Sequence, residues 1–189
     1  MTDQLRVHLN ARLGSDAPDL DRVLGHFKAL TVCRGYDLLR QGEVCHFVYY
    51  IAKGALQVYS ADSNFNETTR DIVLEDAWCS DLTSFGEQRP ALENIRALED
   101  SQLFAVSYGS FGHLMATVPS FGVVYRQVLE ASYASSVQRI NSLVAMTSSE
   151  KIEWLRTQRP QLLERVSSKV LSSYLGMSQE TYSRLKNKI

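Results

Sequence analysis

The sequence predicts an α+β fold, and three observations carry that reading. Short β-rich runs cut by turn residues extend from about Leu30 to Val106, a helical pattern of unusual length follows over 119–146, and two short helices split by Gly176 close the chain. With 189 residues, of which 44% are hydrophobic and 22% charged, the chain is long and apolar enough to fold throughout, as one large domain or two small ones.

The elements follow in order. Residues 2 to 12 and 18 to 27 read as short helices, the second opened by Asp16 and Pro18 and carrying Leu20, Val23, Leu24 and Phe27 at helical spacing. The period then changes. LTVC, HFVYYIA, ALQVYS, TTRDIVL, ENIRALE and QLFAVS are the expected strands, joined at Gly35, Gly42, Gly54 and the Asp62-Ser63-Asn64 cluster, where tight turns cost little.

Pro119 opens the long helix, which meets no further Pro before Met146. Along it Leu129, Tyr133, Val137, Ile140 and Val144 recur at alternating steps of four and three, flanked by Ser132, Ser135, Ser136, Gln138 and Arg139. That narrow stripe is the seam of a two-stranded coiled coil, while a helix packed on its own β unit is the alternative. Residues 149 to 158 form another helix, Pro160 interrupts the chain, and two helices follow. Val170, Leu171, Tyr174 and Leu175 form the inner face of the first, Gly176 supplies the turn, and Ser178 caps the second.

Composition excludes several classes. No apolar run is long enough to span a bilayer and the opening residues lack the apolar centre of a secretory signal, so a cytoplasmic location without membrane contact is expected. Cys33, Cys45 and Cys79 form no CxxC pair and His8, His26, His46 and His113 show no ligand spacing, which predicts buried thiols, structural or solvated histidines, and no metal. The charge is uneven. Residues 151 to 189 carry eight Lys/Arg (Lys151, Arg156, Arg159, Arg165, Lys169, Arg184, Lys186, Lys188) against Glu153, Glu164 and Glu180, a net +5, whereas the rest carries twelve basic against eighteen acidic residues. A small anion-binding end on an acidic body fits this, as does a solvated helical tail.

The final helix holds the candidate chemistry. Tyr182, Leu185 and Ile189 fall on one face; Glu180, Arg184 and Asn187 fall opposite, flanked by Gln179, Ser183 and Lys186. Arg can grip the O6/N7 edge of guanine, Gln the N6/N7 edge of adenine, and Glu can accept from cytosine N4, so this face could read a major groove. An ordinary helical hairpin with a solvated face has the same spacing.

The run YLGMSQETYSRLKNK resembles the helix-turn-helix of Crp/Fnr regulators, in which a Gly turn and Ser precede an acidic residue, Thr, and an Arg four positions after the acid; Glu180, Thr181 and Arg184 match. Gln179 stands where the best-known members have Arg, so their half-site does not carry over unchanged. The segments Asp37-Leu38-Leu39-Arg40-Gln41-Gly42-Glu43 and Tyr49-Tyr50-Ile51-Ala52-Lys53-Gly54 resemble the opening strands of a cyclic-nucleotide-binding β-roll. The length, and an end without a visible β-hairpin wing, resemble a short-form subgroup common in Bacteroidetes.

The resemblance implies an N-terminal double-stranded β-helix of jelly-roll type as effector domain (1–118), a dimerisation helix (119–147) and a winged-helix-like helix-turn-helix without an evident wing (148–189). It implies DNA contacts by Gln179, Glu180, Thr181, Ser183, Arg184, Lys186 and Lys169. The implied partners are a double-stranded DNA operator, a second copy of the chain, and RNA polymerase. No enzymatic activity is implied; a cupin-like enzyme is the rival from another class, and the absence of clustered His and Glu ligands counts against it.

The family's nucleotide pocket uses a Gly-Glu pair and, about ten residues on, an Arg that neutralises the cyclic phosphate. An ungapped register places Ser80-Asp81 at the Gly-Glu positions, Ala91 and Leu92 at the Arg-Ser positions, and Ser136 at that of the purine-contacting Thr. With Trp78, Arg89 and Tyr133 these residues form the expected effector pocket. Without the guanidinium a phosphate would lie uncompensated, so no cofactor is expected, the effector is unknown and cyclic AMP is disfavoured. A shifted register, Phe85-Gly86-Glu87 followed by Arg96-Ala97, imitates the nucleotide signature; it and an inward Arg89 are the two ways this chain could still be a cyclic-AMP receptor.

Overall fold

The computed structural model describes residues 2–13 and 19–186. The helix-start residues Asp16 and Pro18, and Asn187, Lys188 and Ile189, lie outside the described residues. The chain divides into two compact units, Met1–Val58 with Ile72–Ala131, and Tyr59–Asp71 with Ser132–Ile189.

The first unit is a β-roll. The strands are β1 (Lys28–Val32), β2 (Asp37–Leu39), β3 (Phe47–Lys53), β4 (Leu56–Ala61), β5 (Glu67–Val73), β6 (Trp78–Cys79), β7 (Asn94–Ala97) and β8 (Ser101–Ser107), of which the hairpin portion of β4 and β5, residues 59–71, falls in the second unit. They form two four-stranded sheets, ordered β1-β8-β3-β6 and β2-β7-β4-β5. The apolar run of β3 is explained by its place inside the sheet: Val48 through Ala52 are all buried. Ile51, Leu56, Ile72, Ile95, Leu103 and Val106 fill the core.

The turns behave as their residues dictate. Gly35, Gly42 and Gly54 all take positive φ, and at Gly54 an added Cβ would lie 2.8 Å from the Ser101 Cα, so that position admits only hydrogen. In the Asp62 cluster the carboxylate accepts from the Asn64 and Asn66 amides at 2.8 and 2.9 Å, and Phe65 rather than a glycine takes the left-handed backbone.

Helices pack against the strands. α1 (Thr2–Leu13) buries Leu5, His8 and Leu9, and the His8 ring rests 4.7 Å from that of Tyr50 on β3. α2 is shorter than expected, Leu20–Leu24 rather than 18 to 27, because Gly25 closes it and the chain becomes strand at Lys28. α3 (Leu82–Glu87) follows β6, and α4 (Tyr108–Thr117), absent from the sequence expectation, is capped by Ser107 accepting from the Ser110 amide at 3.3 Å.

α5 (Pro119–Ala145) is the expected long helix. The second unit contains its latter half with α6 (Ser148–Gln158), α7 (Gln161–Arg165), α8 (Ser168–Tyr174) and α9 (Gln179–Lys186). Thr147 and Glu150 form a reciprocal capping box at the head of α6, and accepting those hydrogen bonds holds the Glu150 carboxyl below its ordinary range. Pro160, expected only to interrupt the chain, instead initiates α7 with φ −58, a value its ring enforces.

Candidate nucleic-acid interface and effector pocket

The interface is built by α8, α9 and the turn between them. Ser167 caps α8, whose Leu171, Ser172 and Tyr174 are buried and whose Val170 is half-buried. At its end the Gly176 amide donates to Ser173 O and the Met177 amide to Ser172 O, at 3.1 and 3.0 Å, with Gly176 at φ +64. This paired closure is the Schellman arrangement, and it needs the left-handed residue that glycine supplies. Ser178 then accepts from the Thr181 amide at 3.1 Å and donates to the Thr181 hydroxyl at 2.9 Å, starting α9.

Tyr182, fully buried, anchors α9, with Leu185 half-buried beside it; burial raises the Tyr182 phenol above its ordinary pKa. Gln179, Glu180, Ser183, Arg184 and Lys186 are exposed, as is Lys169 on α8. Thr181 is half-buried and its hydroxyl is engaged by Ser178, so it shapes the turn as well as facing outward.

Within the same unit, residues from α5, α6, α8 and the β4–β5 hairpin meet. The Arg139 guanidinium stacks 4.0 Å from the Tyr174 ring centre, while Arg159 donates to the Tyr174 hydroxyl at 3.0 Å and lies 3.8 Å from the Asp71 carboxylate. Ser173 accepts from the Thr69 amide at 2.8 Å and donates to Glu67 O at 3.0 Å. Sequence reading missed this cluster because its members are some 100 residues apart in the chain.

Along α5 the seam residues Tyr133, Val137, Ile140 and Val144 are exposed and Leu129 is half-buried; Ser136 is exposed beside them. Tyr133 is 73% and Val144 82% accessible, an apolar stripe left uncovered in the single chain.

The expected pocket residues of the first unit serve other partners. Trp78 donates its indole N–H to His8 Nε2 at 2.8 Å and so faces α1. The Ser80 hydroxyl donates to Phe47 O at 3.1 Å. Asp81 caps α3 by accepting from the Ser84 amide at 3.0 Å. The Ser84 hydroxyl accepts from the Cys45 amide at 2.9 Å and donates to Arg89 O, and the Gln88 amide group donates to Cys45 O and Phe85 O. Arg89 pairs with Glu87 on the surface instead of swinging inward, Ala91 is buried in reciprocal backbone bonds with Gly42 and Glu43, and Leu92 is exposed.

In the shifted register Gly86 and Glu87 are part of α3, and Arg96 lies on β7, its Nε 3.2 Å from Asp37 on β2, with strand pairing fixing it there. Cys45 and Cys79 are buried as expected; Cys33 is exposed, at the turn after β1. Among the described residues there is no group of three or more potential metal ligands, and no helix is long and apolar enough to cross a membrane.

Fold and site define a β-roll joined by a long helix to a helix-turn-helix. Residues 29–118 match the cyclic nucleotide-binding domain family, and the roll is a domain of that kind. Solved structures of similar fold include the c-di-GMP-responsive global regulator CLP of Xanthomonas campestris (18% identity, TM-score 0.73, covering 92% of this chain and 91% of that one). They also include a CooA mutant from Carboxydothermus hydrogenoformans (20%, TM-score 0.71, 95% and 82%) and a CRP/FNR-family transcriptional regulator from Thermus thermophilus (15%, TM-score 0.68, 85% and 84%). No curated protein is significantly similar in sequence. In fold the chain is similar to these regulators.

Proposed function

We propose that the protein is a sequence-specific DNA-binding transcription regulator. It acts as a homodimer paired along α5, reads a near-palindromic operator with two copies of α9, and acts on RNA polymerase. The carrying observation is the seating of α9: Tyr182 and Leu185 turn inward, the Schellman turn fixes the helix, and Gln179, Glu180, Ser183, Arg184 and Lys186 occupy its accessible side. That set supplies base-edge donors and acceptors together with phosphate-neutralising charge. The exposed α5 stripe supports the pairing, since a dimer covers it. The reading contains no catalytic step.

The β-roll in this reading responds to an effector other than a cyclic nucleotide, or serves as scaffold. Ala91 cannot neutralise a phosphate, and the polar side chains about α3 are engaged with one another.

The test is a competition gel shift on a selected operator and on scrambled DNA at several salt concentrations. Arg184→Ala should cost about 1–3 kcal/mol on the operator and relax preference at one base pair per half-site. Lys186→Ala should weaken both DNAs alike and flatten the salt dependence by roughly one unit. Equal losses on both DNAs from Arg184→Ala would make α9 a nonspecific clamp and end this reading.

A further inference from the structure

His8 is 3% accessible, on the inner side of α1. Both of its ring nitrogens are committed. Nε2 receives the indole N–H of Trp78 at 2.8 Å, and Nδ1 meets the carboxylate of Asp76 in the turn before β6. An indole nitrogen only donates, so Nε2 must offer a lone pair and the proton must reside on Nδ1, pointing at Asp76. The neutral imidazole therefore ties α1 to two places on the roll. An imidazolium has no lone pair to receive Trp78, and two N–H groups would then confront each other in a buried site.

The surroundings are named easily. Tyr50 on β3 donates its hydroxyl to the same Asp76 oxygen at 3.0 Å, its ring stacks 4.7 Å from His8, and the Trp78 ring lies 5.8 Å from His8 and 5.7 Å from Phe27. Arg12, one turn along α1, donates to His8 O and adds positive charge nearby. Asp76 is itself largely exposed, which gives protons a path to the pair. Burial opposes its ionisation, but the bonds from His8 and Tyr50 outweigh that and keep its carboxyl below the ordinary range.

We propose that His8 is a proton-operated latch, holding α1 on β3 and β6 when neutral and releasing it when mild acidification protonates the ring. Release frees the Trp78 indole, two residues before Ser80; on the proposed reading of the roll as an effector domain, the latch bears on the segment that leads into α3. Burial, with a smaller contribution from Arg12, lowers the His8 pKa below 6.5, and Asp76 only partly offsets this. The sign follows. A docked helix with a lowered pKa binds protons less readily than a free one, so docking is at full strength above pH 6.5 and weakens as pH falls below it, levelling off beneath the lowered pKa.

Hydrogen exchange of the full chain between pH 8 and pH 5, corrected for intrinsic rates, should show the opening of α1 increasing as pH falls below 6.5, by at most about ten-fold per pH unit and then to a plateau, while β3 and β8 stay protected. His8→Gln, whose amide can accept from Trp78 and donate to Asp76 but cannot titrate, should remove this dependence. Flat α1 protection in the wild type, or the same dependence in His8→Gln, overturns the proposal. Ring-nitrogen NMR of the wild type at pH 8 tests it independently of any variant: a proton on Nε2 rather than Nδ1 overturns it as well.

Discussion

Replacing Val137 and Ile140 together by Glu should convert the protein from dimer to monomer without unfolding it. Val137 is 37% and Ile140 58% accessible in the single chain, so neither substitution hollows out a core. Full burial of such side chains is worth about 1.5–3 kcal/mol, and covering the exposed fraction of each contributes about 1 kcal/mol. Two residues from each of two chains make about 4 kcal/mol, roughly a thousand-fold in dissociation constant, before the four carboxylates face one another across the seam. Sedimentation velocity over a range of concentrations gives the mass, and circular dichroism confirms that the helices persist. A wild type that sediments as a monomer, or a double variant that keeps the wild-type dimer mass, would show that this stripe is not the interface.

Cyclic AMP should give no saturable heat at micromolar concentration in calorimetry, because Ala91 leaves the phosphate without a guanidinium; binding that disappears in Arg96→Ala with the fold intact would reinstate the shifted register. Gly54→Ala should lower the melting temperature by a margin worth more than about 1 kcal/mol, since the residue has φ +112 and its new methyl would press on the Ser101 backbone. A melting temperature equal to the wild type's would mean that this turn relaxes at no cost.

Legibility from sequence tracked how local each signal was. β3 was visible because five consecutive buried residues demand an apolar run, and α5 because its stripe recurs without interruption from Leu129 to Val144. The capped turn before α9 was visible because Gly176 and Ser178 each perform a backbone task few residues can perform. β6 was missed because two residues carry no period, and α4 because Gly109 and Gly112 mask it, although the Ser107 cap and the spacing of Phe111, Leu114 and Val118 were present to find. His8 read as an isolated histidine because its partners lie 68 and 70 residues away, and the same distance hid that Trp78 serves α1. Gln179, Glu180 and Arg184 were legible as an outward set because helical spacing fixes their common side once Tyr182 is inward.

The chain passes between the two units within β4, within β5 and within α5, at residues 58/59, 71/72 and 131/132. In the second unit two elements meet the helix-turn-helix: β5 through Ser173 and the Asp71–Arg159 pair, and α5 through the Arg139 stack on Tyr174. Tyr174 and Ser173 are neighbours on α8, so the strand and the helix bear on one turn of one helix, immediately before the Gly176 closure that aims α9.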